Sequence, residues 1–355
     1  MTDLTFIVAG DPGQLTGGYV YDARIVEALR HQGWQVEVVG LEGRFPEPDA
    51  AAGQALDTAL ADCPNGARVV IDGLAMGGLP EIVAQHAPRL DITALVHHPL
   101  ADETGLDAAQ CTRFRISETR ALAAVNRVIV TSPFTARRLA DFKVGAERIR
   151  VIEPGVERPP MPPRRAAYHT GPARLLCVAT ITPRKGHDVL VEALAGLADR
   201  DWQCDCIGGL DRDVAHVEHV RERIAAHGLS ERVHLLGERP PHALAKAYAA
   251  ADLFVLPSHY EGYGMVISEA LAHGLPVLTT TGGALAHTLP EGAGLQVPPG
   301  DPAALAEALT RWLDDAALRD TLLDGAREAG QALPDWNTTG RAFAAALIDT
   351  PETHA

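Results

Sequence analysis

Two glutamates, Glu261 and Glu269, stand with seven residues between them in HYEGYGMVISEALAHGLPV, which covers residues 259–277. The apolar run DLFVLPS before this stretch predicts a buried strand, and MVISEALAH predicts a helix that Gly274 and Pro276 end. The open N–H groups and the dipole at a helix start favour an anion in the turn. Ionised carboxylates only accept hydrogen bonds, so the two glutamates are suited to hydroxyl groups. A nucleotide-sugar, with phosphates between hydroxylated rings, would meet both requirements.

A pair of cations, Arg184 and Lys185, lies in TPRKGHD between a predicted strand and a predicted helix. The diphosphate of a nucleotide-sugar gains negative charge as the bond between sugar and oxygen breaks, and a specific cation would stabilise that charge. The alternative is a surface pair at a helix start. That alternative would leave two cations at the unfavourable end of a helix dipole.

Two adjacent histidines, His97 and His98, end the predicted strand ALVHHPL. A neutral histidine can donate to a sugar hydroxyl without adding charge. The alternative for either is a strand-end histidine bonded to backbone.

Gly17 and Gly18 follow the first strand in GDPGQLTGGY, which lacks the G-x-G-x-x-G pattern of a dinucleotide loop. A turn that needs positive φ is the alternative explanation for these glycines.

The elements that must position these residues alternate between short strands and amphipathic helices. This alternation predicts βαβ units with a parallel sheet and helices on both faces. The chain of 355 residues is long enough for about two domains, and ERPPMPPRRAAYHTGP predicts a stiff linker between them. Two doubly wound domains would leave a ligand-binding cleft at the carboxyl ends of their strands. The predicted N-terminal, acceptor-side Rossmann-like domain covers residues 1–160, and a linker covers residues 161–172. The predicted C-terminal, nucleotide-sugar-binding Rossmann-like domain covers residues 173–335. A final helix, at residues 336–355, is predicted to pack back towards the N-terminal domain.

The composition disfavours several partners. The formal net charge of −15 argues against nucleic acid and against an anionic membrane surface, because both need basic residues. No apolar run approaches the roughly 20 residues that span a bilayer, and the N-terminus MTDLTFIVAG lacks the basic start of a signal peptide. We therefore expect a cytoplasmic protein without an integral membrane segment. Arg113, Arg115 and Arg120 in CTRFRISETRAL are interpreted as a solvated helix face.

Two patterns imitate metal sites. Cys204 and Cys206 alternate in the predicted strand WQCDCIGG, where core packing is the better interpretation, since no second pair at ligand spacing accompanies them. Asp211 and Asp213 form Asp-x-Asp in a polar loop and are interpreted as loop and capping residues. We expect no metal and no cofactor beyond the nucleotide-sugar.

The pattern E-G-Y-G-x-x-x-x-E-A, from Glu261 to Ala270, resembles the donor-site signature of the retaining glycosyltransferases of family 4. The resemblance covers nearly the whole chain, because TSPFTARRL, RIRVIEPGVE, PRKGHDVLVEAL, RVHLLGE and GLPVLTTTGGALAHTL follow the order of the family's blocks. It implies the GT-B fold of two Rossmann-like domains and a reaction that needs no metal.

The resemblance also implies roles for individual residues. Glu261 would orient the sugar and Glu269 the ribose, while Gly17 and Gly18 would approach the donor phosphates. His97 matches the family's sugar-contacting histidine better than His98 does. The predicted catalytic residues are Arg184, Lys185, Glu261 and His97. The predicted donor-binding residues are Gly17, Gly18, His98, Glu238, Gly262, Tyr263, Gly264, Met265, Val266 and Glu269.

The sequence departs from the family at Thr180, where an arginine is usual, and near Ala286, where a glutamate is frequent. The main prediction is retaining transfer of a sugar from a nucleotide diphosphate, with UDP favoured by family frequency, to a hydroxyl of a small molecule or polar glycoside. The two departures motivate one alternative, a nucleotide-sugar-binding or regulatory protein with reduced turnover. A Rossmann oxidoreductase is a weaker alternative, because the glycine fingerprint is missing. The sequence does not predict an oligomeric state.

Overall fold

The computed structural model describes residues 3–159 and 171–349. The chain forms two compact units. The N-terminal unit comprises Met1–Gly155 and Pro334–Ala355, and the C-terminal unit comprises Val156–Leu333. Most of the predicted linker, 161–172, lies outside the described residues.

The N-terminal unit is built on a six-stranded sheet of order β2-β1-β3-β4-β5-β6, and each adjacent pair of strands is parallel. Helices cover a parallel sheet on both faces, so its inner strands are largely apolar, as in the fully buried β1. The strands are β1 (Leu4–Ala9), β2 (Val36–Leu41), β3 (Arg68–Asp72), β4 (Asp91–Val96), β5 (Arg127–Val130) and β6 (Ile149–Val151).

Seven α-helices of the described residues belong to this unit. Most begin at a serine or aspartate whose side chain accepts a backbone N–H, such as Asp49 and Ser132. The last helix packs on the first, where Gly340 allows close approach, since a Cβ there would lie 2.4 Å from the Cβ of Ala28. The helices are α1 (Gly17–His31), α2 (Ala50–Ala61), α3 (Gly73–Met76), α4 (Pro80–His86), α5 (Ala108–Ala124), α6 (Pro133–Arg138) and α14 (Trp336–Ile348).

The C-terminal unit repeats this design with a parallel sheet of order β12-β11-β10-β7-β8-β9. Its strands are β7 (Ala173–Val178), β8 (Trp202–Ile207), β9 (Val233–Gly237), β10 (Leu253–Leu256), β11 (Val277–Thr280) and β12 (Gly294–Val297). Its helices are α7 (His187–Ala195), α8 (Val214–Ala226), α9 (Pro241–Ala250), α10 (Met265–Ala272), α11 (Leu285–Thr288), α12 (Pro302–Asp314) and α13 (Ala316–Ala332).

Both sheets confirm the predicted α/β class of doubly wound parallel sheets. In each sheet the strand order reverses once, between β1 and β3 in the first and between β7 and β10 in the second. Open parallel sheets bind ligands beside such a reversal, at the carboxyl ends of the strands. The chain segments that follow β1, β3, β7 and β10 are therefore the places where functional side chains are expected.

Candidate functional site

In the C-terminal unit, the segments after β7 and β10 meet through a cluster of three charged side chains, which we call the glutamate cluster: Arg184, Lys185 and Glu261. Arg184 Nη1 donates to Glu261 Oε2 at 3.0 Å, and Lys185 Nζ donates to Glu261 Oε1. Ser258 Oγ also donates to Oε1, at 2.8 Å. The side chains of Arg184, Lys185 and Glu261 are only 21%, 17% and 9% exposed. The alternative of a surface cation pair is therefore wrong.

The cluster fixes the charge of its carboxylate. Burial alone would raise the pKa of Glu261, but the positive charges of Lys185 and Arg184 and the hydrogen bonds from Lys185 and Ser258 lower it to about 2. Burial lowers the pKa of Lys185, and the charge of Glu261 partly opposes that effect. With all three groups ionised, the cluster carries one excess positive charge, which suits an anionic ligand.

Local backbone geometry explains how the two segments reach each other. Arg184 and Lys185 lie in the 3-10 helix Pro183–Lys185, which ends at Gly186 with φ of +68°. A Cβ at Gly186 would lie 2.3 Å from the carbonyl oxygen of Pro257, so only glycine lets this turn contact the end of β10. The backbone N–H of His259 donates to the carbonyl of Arg184 at 2.8 Å and joins the two segments.

The predicted turn between Glu261 and α10 is present. Gly262 and Tyr263 are buried, and Gly264 adopts a left-handed conformation with φ of +90° directly before Met265, the first residue of α10. Val266 follows in the same first turn. The hydroxyl groups of Tyr263 and Ser268 are 3.1 Å apart and hydrogen bonded. The helix start therefore offers its backbone N–H groups beside the turn, as the sequence predicted.

Glu269 lies in the second turn of α10 and is half-buried. Its Oε2 accepts a hydrogen bond from the hydroxyl of Tyr248 on α9, at 2.9 Å. The ring of Tyr248 stacks on His273, with centroids 4.9 Å apart. Sequence reasoning missed Tyr248, because a tyrosine in an ordinary helical pattern gives no sign of its partner. Glu269 is thus held by a specific donor, unlike a fully solvated helix residue.

The remaining predicted donor residue, Glu238, follows β9 and is exposed. Glu238 and Thr180 both lie beside Gly209. A Cβ added to Gly209 would be 3.1 Å from Glu238 Oε1 and 3.6 Å from Thr180 Cγ2, so the two side chains are near each other. Ala286, the second departure from the family, lies in α11.

In the N-terminal unit, a second cluster surrounds His97, directly after β4. We call it the histidine cluster: Asp22 on α1, Asp72 at the end of β3, and His97. His97 Nε2 lies 3.0 Å from Asp22 Oδ1 and 3.3 Å from Asp72 Oδ2. A Cβ on Gly18 would lie 3.1 Å from the imidazole Cδ2, so this glycine allows close packing. Neither Gly17 nor Gly18 has positive φ, so the alternative of a strained turn is wrong.

The surroundings of His97 favour its protonated form, whereas the sequence suggested a neutral donor. Burial lowers its pKa, but the charge of Asp22 and hydrogen bonds to Asp22 and Asp72 outweigh burial and raise the pKa to about 10. Burial raises the pKa of Asp22 to about 7, against the opposing effect of His97. The two carboxylates therefore favour the protonated form of His97. The alternative of a side chain bonded only to backbone is wrong for His97.

His98 has a different environment from its neighbour. Its Nε2 pairs with Glu103 Oε2 at 3.1 Å, and the two side chains are 25% and 39% exposed. Sequence reasoning did not identify Asp22 or Asp72 as partners of His97. A signal existed for Asp72, which ends the apolar strand RVVID at the edge where parallel strands place functional side chains.

Among residues 3–159 and 171–349, one group of three could hold a metal ion, and it is the histidine cluster.

Asp213 caps α8 by accepting the N–H of His216 at 3.0 Å, as interpreted from the sequence. Cys204 and Cys206 are buried in the core, also as expected. Arg113 pairs with Glu47 and Arg120 with Glu81, on exposed side chains.

No helix within the described ranges has the length and apolar character needed to cross a bilayer.

Comparison with known proteins agrees with this geometry. The family described as glycosyl transferases group 1 matches residues 164–329, which include the glutamate cluster and the turn before α10. We call residues 164–329 the group 1 region. D-inositol 3-phosphate glycosyltransferase from Streptosporangium roseum is 30% identical over 254 residues, which cover 67% of this chain and 58% of the relative. The same enzyme from Nocardia farcinica is 34% identical over 227 residues, 59% of this chain and 49% of the relative. The chain thus spans about half or slightly more of these curated relatives.

Solved structures extend the likeness beyond the group 1 region to the fold of the whole chain. Sucrose-phosphate synthase from Thermosynechococcus elongatus has a TM-score of 0.79 at 24% identity, covering 96% of this chain and 97% of that chain. Anabaena Alr3699/HepE in complex with UDP and glucose has a TM-score of 0.76 at 18% identity, covering 97% and 99%. These findings confirm the GT-B fold and the predicted resemblance to glycosyltransferases of the family 4 type.

Proposed function

We propose that the chain is a retaining glycosyltransferase that moves a sugar from a nucleotide diphosphate, with UDP favoured, to a hydroxyl of a small polar acceptor. The observation that carries the proposal is the glutamate cluster at the strand reversal of the C-terminal unit, within the group 1 region. Its excess positive charge suits a diphosphate, and its carboxylate suits sugar hydroxyls. The likeness to a protein solved with UDP and glucose supports the choice of UDP.

The chemistry follows from the charges of the cluster. As the bond between the anomeric carbon and the phosphate oxygen breaks, negative charge develops on the diphosphate, and Arg184 and Lys185 stabilise it. The leaving phosphate oxygen accepts the proton of the acceptor hydroxyl. The acceptor oxygen then forms its bond to the anomeric carbon on the same face, so the configuration is retained. Protein catalysis consists mainly of positioning and charge stabilisation.

Glu261 is poorly suited to be a nucleophile in a double displacement. Both of its oxygens already accept hydrogen bonds, from Arg184, Lys185 and Ser258, and its pKa of about 2 reflects a strongly stabilised carboxylate. Double displacement also needs a second carboxylic acid about 5–5.5 Å away. We therefore assign Glu261 to binding and orientation. Two protein cations at the donor site also support a reaction that proceeds without a metal.

The acceptor is proposed as a small hydroxylated molecule. The printed names of relatives, D-inositol 3-phosphate glycosyltransferase and sucrose-phosphate synthase, suggest phosphorylated polyols and sugars as the first compounds to test.

The decisive experiment measures donor use by the full chain. UDP-, GDP- and ADP-sugars are incubated with and without an acceptor panel, in EDTA and in Mg²⁺, and the product is analysed by NMR for its anomeric configuration. We expect one nucleotide series to support hydrolysis and transfer in EDTA, with the donor configuration kept. Inverted product or strict dependence on Mg²⁺ would contradict the mechanism.

The same experiment separates the alternative functions. Binding is followed through thermal stability, because a ligand at a hundred times its dissociation constant adds about 2.7 kcal/mol. A nucleoside diphosphate that stabilises the protein without any hydrolysis or transfer would favour a binding or regulatory protein, for which Thr180 and Ala286 are the motivating departures. Stabilisation by NAD alone would reject the glycosyltransferase.

A further inference from the structure

The segment that follows β4 carries His97 and His98 and then forms a short 3-10 helix, Leu100–Asp102. Leu100 and Ala101 are each 7% exposed, so the start of this helix is buried. The first N–H groups of a helix have no acceptor within the helix, and a buried N–H without a partner is costly. The segment therefore needs acceptors from elsewhere in the chain.

Glu118, on α5, supplies these acceptors. Its Oε1 accepts the N–H of Leu100 at 2.7 Å, and its Oε2 accepts the N–H of Ala101 at 3.1 Å. Glu118 is only 4% exposed, which is rare for a glutamate. Each carboxylate oxygen thus fixes one residue of the segment, two and three positions beyond His98.

Close packing around Glu118 brings the chain that follows β3 to the same place. A Cβ on Gly77 would lie 3.0 Å from Glu118 Cγ and 2.7 Å from Leu100 Cδ1, so the absence of a side chain at Gly77 allows this approach. The neighbouring hydroxyl of Ser117 donates to the carbonyl of Gly77 at 2.6 Å. The middle of α5 therefore contacts the chain after Asp72 and the chain after His98.

Arg138 on α6 holds the other end of the 3-10 helix. Its Nε and Nη2 donate to Asp102 Oδ2 and Oδ1, at 2.7 and 2.6 Å. This ion pair fixes a side chain through a guanidinium that is 23% exposed, whereas Glu118 fixes the backbone from a buried position. Glu118 is therefore the contact that ties the backbone directly after the two histidines to α5.

We propose that Glu118 is a positioning residue, which holds the 3-10 helix after β4 and so sets the place of His97 and His98 in the N-terminal unit. Both of its hydrogen bonds go to backbone N–H groups, so Glu118 acts through the segment and not on a ligand. The role needs two acceptor oxygens, and glutamine offers only one, because its amide nitrogen is a donor. That the two histidines serve sugar transfer rests on the proposed function, whereas the placement of the segment does not.

The first test measures the segment directly and needs no substrate. Hydrogen exchange of the full chain is followed by mass spectrometry in wild type and in Glu118→Gln. We expect the amides of residues 99–104 to exchange about tenfold faster or more in the variant, because local opening of the segment loses its anchor, and those of β1 to keep the wild-type rate. An unchanged rate at residues 99–104, or the same acceleration in β1, would overturn the proposal.

Glu81→Gln is the matched control, because it makes the same change in another carboxylate that contacts α5. Glu81 Oε1 pairs with Arg120 Nη1 at 2.7 Å, on side chains that are 68% and 58% exposed. We expect this variant to leave exchange at residues 99–104 unchanged. An equal acceleration in Glu81→Gln would show that any weakened contact of α5 loosens the segment, and the specific role of Glu118 would be wrong.

The second test is a double-mutant cycle with the histidine at the start of the segment. Transfer is measured for wild type, Glu118→Gln, His97→Gln and the double variant, with the donor and acceptor that wild type uses. We expect kcat to fall about tenfold or more in Glu118→Gln, with a smaller change in KM, because a misplaced group costs turnover. The double variant should turn over no more slowly than His97→Gln alone.

The cycle separates positioning from a merely structural role. Residues that act together give non-additive losses, whereas independent structural effects multiply. Losses that multiply, or near-normal kcat in folded Glu118→Gln, would overturn the proposal. A wild type without any transfer would refute the proposed function instead, and hydrogen exchange at residues 99–104 would then decide the role of Glu118.

Discussion

The two units carry charged clusters of opposite sign at equivalent places in their sheets. The histidine cluster places two carboxylates around one imidazole, and the glutamate cluster places two cations around one carboxylate. In each case the central group is held in its charged form, with a raised pKa for His97 and a lowered pKa for Glu261. The comparison shows that burial does not have to neutralise an ionisable group when two opposite charges surround it.

The clusters differ in what they offer a ligand. The glutamate cluster has one excess positive charge and side chains that already satisfy both carboxylate oxygens, so an anion is favoured beside Arg184 and Lys185. The histidine cluster instead places the imidazole of His97 between two carboxylates. The predictions below test the two clusters separately.

The largest effect is expected from Lys185→Ala. This substitution removes a buried cation that stabilises the leaving diphosphate, and the loss of one such donor costs about 10²–10³ in kcat. Steady-state transfer kinetics should show this fall in kcat, with a smaller change in KM. Lys246→Ala is the matched control, since Lys246 is an exposed lysine on α9 of the same unit. Near-normal turnover of folded Lys185→Ala would remove the catalytic assignment.

The next effect is on stability, in Glu261→Ala. Removing the carboxylate leaves two cations close together and unpaired, and breaking a buried pair costs roughly 3–5 kcal/mol. We expect about 3 kcal/mol, because the side chains of Arg184 and Lys185 remain about a fifth exposed. Chemical denaturation of the full chain, followed through the fluorescence of its tryptophans, which include Trp202 and Trp312 in the C-terminal core, would measure the loss. A change below about 1 kcal/mol would show that the cluster is held by other contacts.

Sequence reasoning predicted the helices and strands of both units and the turn before α10. These features could be predicted because hydrophobic periodicity and the positions of glycines are local signals. It also selected Arg184, Lys185 and Glu261, but it assigned the cations and the carboxylate to different parts of a ligand. That they bond to each other depends on β7 and β10 being neighbours in the sheet, which no local pattern reveals. Asp22 and Asp72 were missed for the same reason, since α1 and β3 meet at β4 only through the strand order.

The clusters should respond to pH in opposite directions. The pKa of Glu261 is lowered, so its contribution to stability is present above its unfolded value of about 4.5 and is lost as pH falls through about 2. The pKa of His97 is raised, so its contribution is present below about 6.5 and is lost as pH rises through about 10. Asp22 also has a raised pKa, of about 7, so the stability that its protonated form contributes is still being lost at neutral pH and is fully lost only above about pH 8.

The window from about pH 8 to 10 therefore follows His97 rather than Asp22. The free energy of unfolding of wild type minus that of His97→Gln should fall by on the order of 2 kcal/mol across this window, less than the full pKa shift would give, because the ring is partly exposed. Parallel denaturation curves at about pH 8, 9 and 10 measure the difference. A difference that stays constant with pH would show that the pKa of His97 is not raised in the folded protein. The two clusters would then not respond to pH in opposite directions.

The smallest effect is expected from Tyr248→Phe, which removes the hydrogen bond to Glu269 but keeps the ring stacked on His273. One hydrogen bond to a charged group contributes about 1.5–3 kcal/mol, and solvent can replace part of it because Glu269 is only half-buried. We therefore expect a several-fold higher Kd for the nucleoside diphosphate, measured by calorimetry, with kcat unchanged. This pattern would place Glu269 on the ribose side of the ligand, apart from the charge stabilised by the glutamate cluster. A lower kcat at unchanged Kd would instead show that Glu269 contributes to the chemical step. Glu269 could then not be assigned to binding alone, with charge stabilisation left to the glutamate cluster.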